Sequence, residues 1–559
     1  MNFSVIDFEA HDNNRLYAVG FYDGHNVKIK INTSIFNKKI TENQRVRHNN
    51  RLISVLFDLL RPNTINYAHF GGGYDFLFIM DFVKENNLEI KKSIVARGKI
   101  LLFSVVYNNN IYNFKDSYFL FPLSLKKLSN DLDLKTKKHD NYNYESEINN
   151  KNITEYLAAD LKSLYEILTK FPDLIQKNTI ANYSVSEFLK YYNQKFQKIR
   201  EPDINLHNYI RNHFYTGART EIFKPYGENL NYYDVNSLYP YVMSKYQYPL
   251  LNQKPKIVNS ENYDRTYNTI GLYTIRAEIE HKKIPLLPYK DLELGLIFPI
   301  GQFITTATNA EIQKAIKIGY KIKVLNGIEY RKSDFIFRDY VLKNYKIKQN
   351  AKNPSERFIA KLILNSLYGK FGQEAYTQKD ILTNNGIKTI NVYPLPYKFL
   401  HSEIASLITA NARLELYRLF EKAGYDNIYY CDTDSIITNK KLKESKELGR
   451  LKKEKHIKKF VALSQKIYAY LDDENKEYIV AKGFENTKDF RFKDFLNAYK
   501  TKDYSFLKSK NTIGIYGIKQ YKIRHFETFT ESKIKTIELK KNYTKRTIYK
   551  NKTKPHIIK

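Results

Sequence analysis

The stretch Tyr430-Cys431-Asp432-Thr433-Asp434-Ser435 lies between the apolar pairs Ile428-Tyr429 and Ile436-Ile437, a pattern that predicts the tip of a β-hairpin. Strand side chains alternate between two faces, so Asp432 and Asp434 are expected to point to the same side. Two carboxylates held this close repel each other unless cations lie between them. Such oxygen pairs bind Mg²⁺ and support phosphoryl transfer, although an acidic, solvated turn would have the same sequence.

A further acidic block lies upstream, in Tyr233-Asp234-Val235-Asn236-Ser237-Leu238-Tyr239-Pro240. Here Asp234 ends a predicted strand, and the apolar stretch Tyr241-Val242-Met243 predicts that a helix follows. This aspartate offers a third metal ligand to the same site.

A helix is predicted between the two acidic blocks, from Arg357 to Gly369. In it Arg357, Lys361, Asn365 and Tyr368 recur at helical spacing on one face, while apolar residues fill the others. That face would present two cations and a tyrosine to a bound ligand.

The order of these three blocks resembles the family B DNA polymerases, with a DxxSLYP block, a KxxxNSxYG helix and a YCDTDS turn. The likeness is strongest to the protein-primed branch, which serves small tailed phages and linear mitochondrial plasmids. The resemblance implies an α/β multidomain protein, with an N-terminal RNase H-like 3′→5′ exonuclease domain followed by a right-hand polymerase. That polymerase would have an antiparallel palm sheet, helical fingers, a thumb and two insertions.

The resemblance also implies the roles of the polymerase residues. Two Mg²⁺ ions, for which Mn²⁺ could substitute, would be held by Asp234, Val235, Asp432 and Asp434. The incoming nucleotide would be bound by Arg357, Lys361, Asn365, Tyr368 and Tyr239, with the Tyr239 ring excluding a ribose 2′ hydroxyl; as a single residue Tyr239 could equally be a plain buried tyrosine. Contacts to DNA are implied for Lys466 and Tyr468 of a KxY element, Thr409 and Arg413 of a TxxAR element, and Tyr215 and Gly217 of a YxGG/A loop.

The N-terminal region carries a second acidic constellation. Val5-Ile6-Asp7-Phe8-Glu9 predicts a strand with two carboxylates on one face. Asp75 follows in a YD pair, and Tyr156 and Asp160 lie one helical turn apart, so a phenol could orient an attacking water. These blocks resemble the proofreading exonuclease of the same family, with Asp7, Glu9, Asp75 and Asp160 as ligands of two metals.

The exonuclease pattern departs from the family at Phe70, where an asparagine usually follows the histidine that here is His69. A phenylalanine could still stack on an unpaired base. Ser124 and Leu125 resemble the family's further contact to single-stranded DNA; alternatively they mark a helix start with Ser124 as its cap.

The spacing of the blocks leaves room for two insertions, which is typical of the protein-primed branch. Priming would then use a hydroxyl of a separate terminal protein. The predicted domains are 1–188 exonuclease, 189–245 palm, 246–336 insertion 1 (terminal-protein contact), 337–371 fingers, 372–402 insertion 2 (strand displacement and processivity), 403–487 palm, and 488–559 thumb and basic tail.

Composition agrees with a DNA partner. The chain has 559 residues and a net charge of +33, which favours binding to polyphosphate, although an AT-rich coding sequence could produce the same bias. One cysteine excludes internal disulfides and cysteine-rich zinc sites, and no apolar run predicts a membrane span. From Lys533 onward the basic excess predicts a thumb edge on duplex phosphates, or alternatively a frayed tail.

We expect a monomer that acts on template-primer DNA and deoxynucleoside triphosphates. A strand that begins at Asn2 leaves no room for a targeting peptide, so we expect the protein to work where it is made. The nucleotide bias favours the mitochondrion over a phage-infected bacterial cytoplasm. Two alternatives remain open: a degenerate polymerase that retains only DNA binding and nuclease activity, and a conventionally primed family B repair polymerase.

Overall fold

The structure is a computed structural model of the whole chain. It describes residues 2–11, 14–34, 39–96, 98–136, 150–375, 377–383, 386–392, 399–482, 484, 487, 489–507, 512–515, 532–535, 545–549 and 551–558. Parts of the predicted insertion 2 (393–398) and of the predicted thumb and tail (508–511, 516–531 and 536–544) lie outside these residues.

The N-terminal domain is built around a mixed sheet of seven strands. Its strands are β1 (Phe3–His11), β2 (Arg15–Tyr22), β3 (Val27–Ile31), β4 (Ile65–Ala68), β5 (Ile90–Ala96), β6 (Lys99–Tyr107) and β7 (Asn110–Asp116). Their order across the sheet is β3-β2-β1-β4-β7-β6-β5, and β4 runs parallel to both β1 and β7. The helices of this region are α1 (Glu42–Leu59), α2 (Asp75–Glu85), α3 (Leu125–Asp131), α4 (Asn150–Lys170), α5 (Pro172–Ile175) and α6 (Ile180–Lys195).

Strand β1 directs the first acids toward helix α4. Ile6 and Phe8 enter the core that the sheet forms with α1 and α2, whereas Val5 packs in the other core, which contains α4. Since Asp7 shares its strand face with Val5, its carboxylate lies on the α4 side. The predicted strand at residues 5–9 is confirmed.

The chain then passes through the palm, the first insertion and the fingers. The first palm elements are α7 (Ile204–His213), β8 (Thr220–Ile222), β9 (Tyr226–Val235) and α8 (Leu238–Lys245). The first insertion contains β10 (Tyr248–Pro249), β11 (Lys256–Asn259), β12 (Ile270–Ile279), β13 (Tyr289–Asp291), β14 (Gly295–Ile297), β15 (Ile300–Thr308), α9 (Asn309–Lys317), β16 (Lys321–Tyr330) and β17 (Ser333–Asp334). The fingers are the helix pair α10 (Arg338–Gln349) and α11 (Pro354–Phe371).

The second insertion, the rest of the palm and the thumb complete the chain. Insertion 2 is the hairpin β18 (Thr377–Thr383) and β19 (Gly386–Val392). The palm continues with α12 (Ser402–Ala423), β20 (Ile428–Asp432), β21 (Ser435–Thr438), β22 (Leu451–Ser464), β23 (Ile467–Leu471) and β24 (Glu477–Ala481). The remaining elements are α13 (Phe492–Thr501), β25 (Thr512–Ile515), β26 (Ser532–Lys535), β27 (Thr547–Tyr549), β28 (Lys552–Lys554) and β29 (Ile557–Ile558).

The palm sheet brings distant segments side by side. Its seven antiparallel strands follow the order β24-β23-β22-β9-β21-β20-β8, so β9 lies between β22 and the hairpin β20-β21. The predicted hairpin at 430–435 and the predicted helices after Asp234 and at 357–369 are confirmed. The domain boundaries themselves remain predictions. No helix in the described part of the chain combines the length and apolar character that a membrane crossing requires.

The described part of the basic tail folds back onto the protein. Arg546 is buried and donates to the carbonyl of Lys283 at 2.8 Å, and the Thr553 amide donates to the carbonyl of Phe223 at 3.0 Å. Strand β29 then adds to β15 at the edge of the insertion 1 sheet. The alternative of a frayed tail is therefore wrong for these residues, whereas a phosphate contact by the exposed Lys552 and Lys554 remains a prediction.

We expect Gly72→Ala to lower the free energy of unfolding by about 1–3 kcal/mol, as overpacking does. The added Cβ would lie 1.8 Å from the backbone carbonyl oxygen of Ile100, which belongs to β6 and cannot rotate away. Urea unfolding measures the change. The control is Gly369→Ala on α11, where an added Cβ has no atom within 4 Å, and it should raise stability by about 0.5–1 kcal/mol. Unchanged stability of Gly72→Ala would contradict the described packing.

Candidate active sites for phosphoryl transfer

The palm acids lie in one row across the palm sheet. Asp234 pairs with Ser435, which pairs with Asp432. The row continues to Lys452 beyond Asp234 and to Thr220 beyond Asp432. Residues directly opposite one another in antiparallel strands project from the same face, so all five side chains share one surface.

The sequence suggested that strand alternation would bring Asp434 to this surface. In the structure the conformation of the turn brings it there instead. Thr433 adopts φ +61°, and the Asp434 amide donates to the carbonyl of Asp432 at 2.7 Å. Neighbouring strands fix the turn from both sides. The Val235 amide donates to the carbonyl of Asp434 at 2.8 Å, and the Thr433 amide donates to the carbonyl of Arg219 at 2.9 Å.

Burial and the charges of neighbouring acids raise the pKa of two of the palm acids. Burial, reinforced by the charge of Asp434, raises the pKa of Asp234 to about 7. Burial also raises the pKa of Asp434. Asp432 Oδ1 instead accepts from Lys466 Nζ at 2.9 Å and from Thr220 Oγ1 at 3.0 Å. The predicted KxY lysine thus lies at the acids, on the turn between β22 and β23.

The donor set of the palm fits a divalent cation, because it consists of carboxylates on one surface that repel one another. The oxygens of Asp234, Asp432 and Asp434 do not, however, all approach within 4.8 Å, since the only such group among the described residues lies in the N-terminal domain. The convergence of the three acids around metal ions therefore remains a prediction. Strand β21 separates Asp234 from Asp432 by two strand spacings, about 10 Å, and the Lys466 ion pair holds Asp432.

A cationic patch on the fingers faces these acids. Arg357 and Lys361 are exposed on α11, as predicted. Lys348 of α10 was not identified from the sequence, yet its buried Nζ donates to Ser237 Oγ at 2.8 Å, three residues from Asp234. Burial and the charges of Arg357 and Lys361 lower its pKa to about 8. Nothing in the sequence marks Lys348, since it is one of 92 Lys and Arg residues.

Two predicted nucleotide-binding tyrosines form a stacked pair beside the acids. The rings of Tyr239 and Tyr368 lie 4.3 Å apart at an interplanar angle of 16°. Tyr239 follows Asp234 by five positions and Tyr368 lies on α11, so the stack joins the palm to the fingers. Asn365, one turn before Tyr368, is half-buried on the same helix.

The other predicted DNA contacts differ in accessibility. Tyr468 is buried against Tyr430, with 5.1 Å between ring centroids. Thr409 and Arg413 are also buried, and the guanidinium of Arg413 donates to the carbonyls of Thr216 and Gly217. The structure thus places these three side chains inside the protein, where they support neighbouring segments.

The loop at 215–217 is more open than these side chains. An added Cβ at Gly217 would meet no atom within 4 Å, and Tyr215 is half-buried against Gly372. The DNA contacts proposed for this loop, Tyr468, Thr409 and Arg413 all remain predictions.

The N-terminal acids form a compact cluster. Ligand oxygens of Asp7, Glu9 and Asp160 all lie within 4.8 Å of one another, which fits a hard divalent cation. Asp75, the first residue of α2, accepts from the backbone amide of Phe8 at 3.1 Å. Burial, with the charges of Asp116 and Glu9, raises the pKa of Asp75 to about 8. Tyr156 lies one turn before Asp160 on α4 and is half-buried.

A buried carboxylate that the sequence did not single out as an acid shapes the adjoining turn. Asp116 accepts from the backbone amides of Phe70 at 2.9 Å and Gly72 at 3.1 Å. This holds Phe70 at φ +67°, with its ring 39% exposed. Lys99 Nζ lies 3.6 Å from the centre of that ring and Tyr118 packs edge-on against it. Phe70 is therefore presented outward on a cationic, aromatic surface.

The region around Ser124 favours the helix-cap alternative. Ser124 Oγ accepts from the Lys127 amide at 3.3 Å and caps α3, while Leu125 is half-buried. The hydroxyl that contacts His69 is that of Ser117: its Oγ lies 2.9 Å from His69 Nδ1. Contacts of Ser124 and Leu125 to single-stranded DNA remain predictions.

Residues 133–447 match the family described as DNA polymerase type B, organellar and viral. A probable DNA polymerase of Podospora anserina is 28% identical over 478 residues, covering 72% of this chain and 38% of that protein. The DNA polymerase of Bacillus phage Nf is 28% identical over 406 residues, covering 66% of this chain and 68% of that protein. The chain spans between 38% and 55% of the length of three fungal relatives.

The fold is similar to phi29 DNA polymerase complexed with primer-template DNA and incoming nucleotide substrates. The TM-score is 0.77 at 19% identity, covering 96% of this chain and 100% of that structure. The predicted fold class is therefore confirmed: a multidomain α/β protein with an N-terminal exonuclease-type domain followed by a right-hand polymerase fold.

We expect Asp234→Asn to stabilise the metal-free protein at pH 8 but not at pH 4. Because the folded-state pKa of Asp234 is raised to about 7, the stability that its proton contributes is full below the unfolded pKa and is lost as the pH rises through 7. The gain should reach at least about 1 kcal/mol, because a carboxyl group whose pKa is raised this far strongly disfavours its charged form in the folded state. Urea unfolding across this pH range measures it.

The control for this experiment is Asp264→Asn, which should show the opposite sign. Burial raises the pKa of Asp264, but hydrogen bonds from Thr266 and Thr269 outweigh burial and hold the pKa well below its usual range. This variant should therefore lose stability at pH 8. Equal effects of the two substitutions would contradict the electrostatics described for the palm.

Proposed function

The chain belongs to the organellar and viral type B DNA polymerases, and from this premise we propose that it is a DNA-directed DNA polymerase with a 3′→5′ proofreading exonuclease. The observation that carries the proposal is the row of acids Asp234 and Asp432, with Asp434 in the adjoining turn, facing the cations of the fingers. Such a surface fits a polyanion held together with divalent cations.

In the proposed synthesis site, each cluster of residues has one task. Bound Mg²⁺ would lower the pKa of the primer 3′ hydroxyl and neutralise charge on the triphosphate and the leaving pyrophosphate. The triphosphate oxygens are bound by Arg357, Lys361 and Lys348. The guanidinium of Arg357 is always charged, and the ammonium groups of the two lysines are compact point charges. Tyr239, held by its stack on Tyr368, closes the space beside the sugar and excludes a 2′ hydroxyl.

Lys466 changes partner during this cycle. Its ammonium neutralises Asp432 in the structure described here. A divalent cation held by Asp432 would supply this neutralising charge instead, and Lys466 would then be available to the primer phosphate, in agreement with the primer contact predicted from the KxY element. The ion pair thus keeps a half-buried carboxylate compensated between turnovers.

The proposed editing site uses the N-terminal cluster. Asp7, Glu9 and Asp160 would hold a divalent cation, which would supply activation of water, and Asp75 is anchored beside them on the Phe8 amide. Tyr156 orients the attacking water. The outward-facing Phe70 ring stacks on the terminal unpaired base, replacing the amide contact of the family pattern.

The proposal also covers the priming of synthesis, strand displacement and the cellular location of the template. We propose that a separate terminal protein supplies the priming hydroxyl at insertion 1, and that insertion 2 separates the strands ahead of synthesis. The template is a linear element of a mitochondrion or, alternatively, of a phage in bacterial cytoplasm, and the protein acts as a monomer. Support comes from the resemblance to the protein-primed branch and from the two insertions found in the fold.

A second candidate function is a nuclease that has lost synthesis. One observation favours it, because the N-terminal carboxylates are compactly clustered whereas Asp432 is engaged by Lys466. The cationic fingers and the stacked tyrosines favour synthesis instead, since a nuclease alone does not require a triphosphate site.

We expect Asp432→Ala to abolish primer extension while it spares 3′→5′ digestion, and Asp7→Ala to do the converse. The two sets of acids lie on different sheets, so each variant removes ligands from one site only. Extension of a labelled primer with deoxynucleotides and Mg²⁺, and its digestion without nucleotides, measure both activities. Digestion without extension by the unaltered chain would establish the nuclease alternative. Loss of both activities in either variant would contradict separate sites.

We expect Lys348→Met to raise the KM for deoxynucleotides about tenfold or more, as loss of one charge-assisted contact predicts. Methionine keeps the length of the side chain but removes the ammonium. Lys346→Met, on the exposed part of the same helix, is the matched control and should leave the KM unchanged. An unchanged KM in Lys348→Met would show that Lys348 supports Ser237 only.

A further inference from the structure

Insertion 2 leaves and rejoins the palm at neighbouring points. Helix α11 ends at Phe371 and α12 begins at Ser402, and the His401 amide donates to the carbonyl of Phe371 at 3.0 Å. We call residues 371–374 and 399–402 the stem of insertion 2. The orientation of the hairpin depends on how this stem is held, because a small rotation of the stem produces a larger displacement of the residues beyond it.

One buried imidazole bonds to both sides of the stem. His207 of α7 lies with Nε2 at 2.8 Å from the carbonyl oxygen of Gln373, on the outgoing side. Its Nδ1 lies 2.9 Å from Ser402 Oγ and 3.3 Å from the Ser402 amide, on the returning side. His207 is 2% exposed and Ser402 is fully buried. A neutral imidazole with its proton on Nε2 satisfies both sides at once.

The same helix holds the outgoing side at a second point. Arg211, one turn after His207, donates Nε to the carbonyl of Gly372 at 2.9 Å and Nη2 to Glu374 at 2.8 Å. An added Cβ at Gly372 would lie 2.9 Å from Ala405 and 3.0 Å from the ring of Tyr215. The stem is therefore packed tightly between α7, α12 and the loop at 215–217.

The far end of the insertion rests on the N-terminal domain. The Leu382 amide of β18 donates to Ser93 Oγ of β5 at 2.9 Å, and the Leu382 side chain enters the core of that domain. Insertion 2 thus spans from the palm to the exonuclease-type domain, with His207 at one end and Leu382 at the other. A hairpin that is fixed at both ends can keep its position against an incoming DNA duplex, whereas a hairpin that is free at its base would be displaced.

We infer that His207 is a positioning residue for insertion 2, required for synthesis through a downstream duplex and dispensable for synthesis on an open single-stranded template. This inference rests on the proposed function, in which insertion 2 separates strands. His207 does not touch substrate in this role. It converts two flexible crossings of the chain into one rigid stem by bonding to both.

The test compares two templates with the same primer, one open and one with an annealed strand downstream. We expect His207→Leu, which fills the same space but has no polar atoms, to slow displacement synthesis about tenfold, the size expected for loss of two buried hydrogen bonds. Extension on the open template should stay within about twofold, since none of the groups at the acids changes. The ratio of the two rates is the readout that a general folding defect would not move.

Three further variants complete the experiment. His213→Leu, an exposed histidine on the same helix, is the matched control and should behave as the unaltered chain. His207→Gln, whose amide can restore one of the two bonds, should recover part of the displacement rate. Replacement of residues 377–392 by a short glycine-serine linker tests the hairpin itself and should abolish displacement only.

Each outcome bears on a separate claim. Failure of the unaltered chain to extend the open template would overturn the proposed function. Undiminished displacement by the linker variant would show that insertion 2 does not separate strands and would overturn the inference. An equal loss on both templates, or an unchanged ratio, in His207→Leu would overturn the positioning role. If His207→Leu does not fold, Ser402→Ala removes the hydroxyl partner of Nδ1 and should lower the same ratio.

Discussion

Repulsion between half-buried carboxylates is the constraint on which the rest of the palm depends. Asp234 and Asp434 carry raised pKa values because each is buried close to other acids, and Asp432 is neutralised by Lys466. A fold that places several acids on one surface must hold them in place and supply compensating charge. The central position of β9, between β22 and the β20-β21 hairpin, supplies the rigidity.

Residues that are distant in the chain also support the turn at Asp432. Strand β8 forms the edge of the palm sheet, and its Glu221 is buried together with Arg219 and with Arg546 from the tail. A buried cluster of this kind tolerates little displacement, because an unpaired charge in the interior is strongly destabilising. The basic tail therefore holds insertion 1 against the strand next to the turn at Asp432.

The loop at 215–217 is linked to both insertions. The loop at Tyr215 touches the stem of insertion 2, and Arg413 fixes the carbonyls of the same loop while pairing with Glu311 of insertion 1. Side chains predicted to contact DNA, such as Arg413, thus act inside the protein. The contacts that these side chains make between segments of the protein explain their presence in the motif as well as a nucleic acid contact would.

The sequence by itself determined the elements that local patterning controls: strand β1 with Asp7 and Glu9, the hairpin at 430–435, and helix α11 with its cationic face. Short-range periodicity and turn chemistry specify these features. Only the tertiary structure decided the register that aligns Asp234 with Asp432, the burial of Lys348, Asp116 and His207, and the docking of the tail. These features arise from contacts between residues far apart in the chain, which no local pattern encodes.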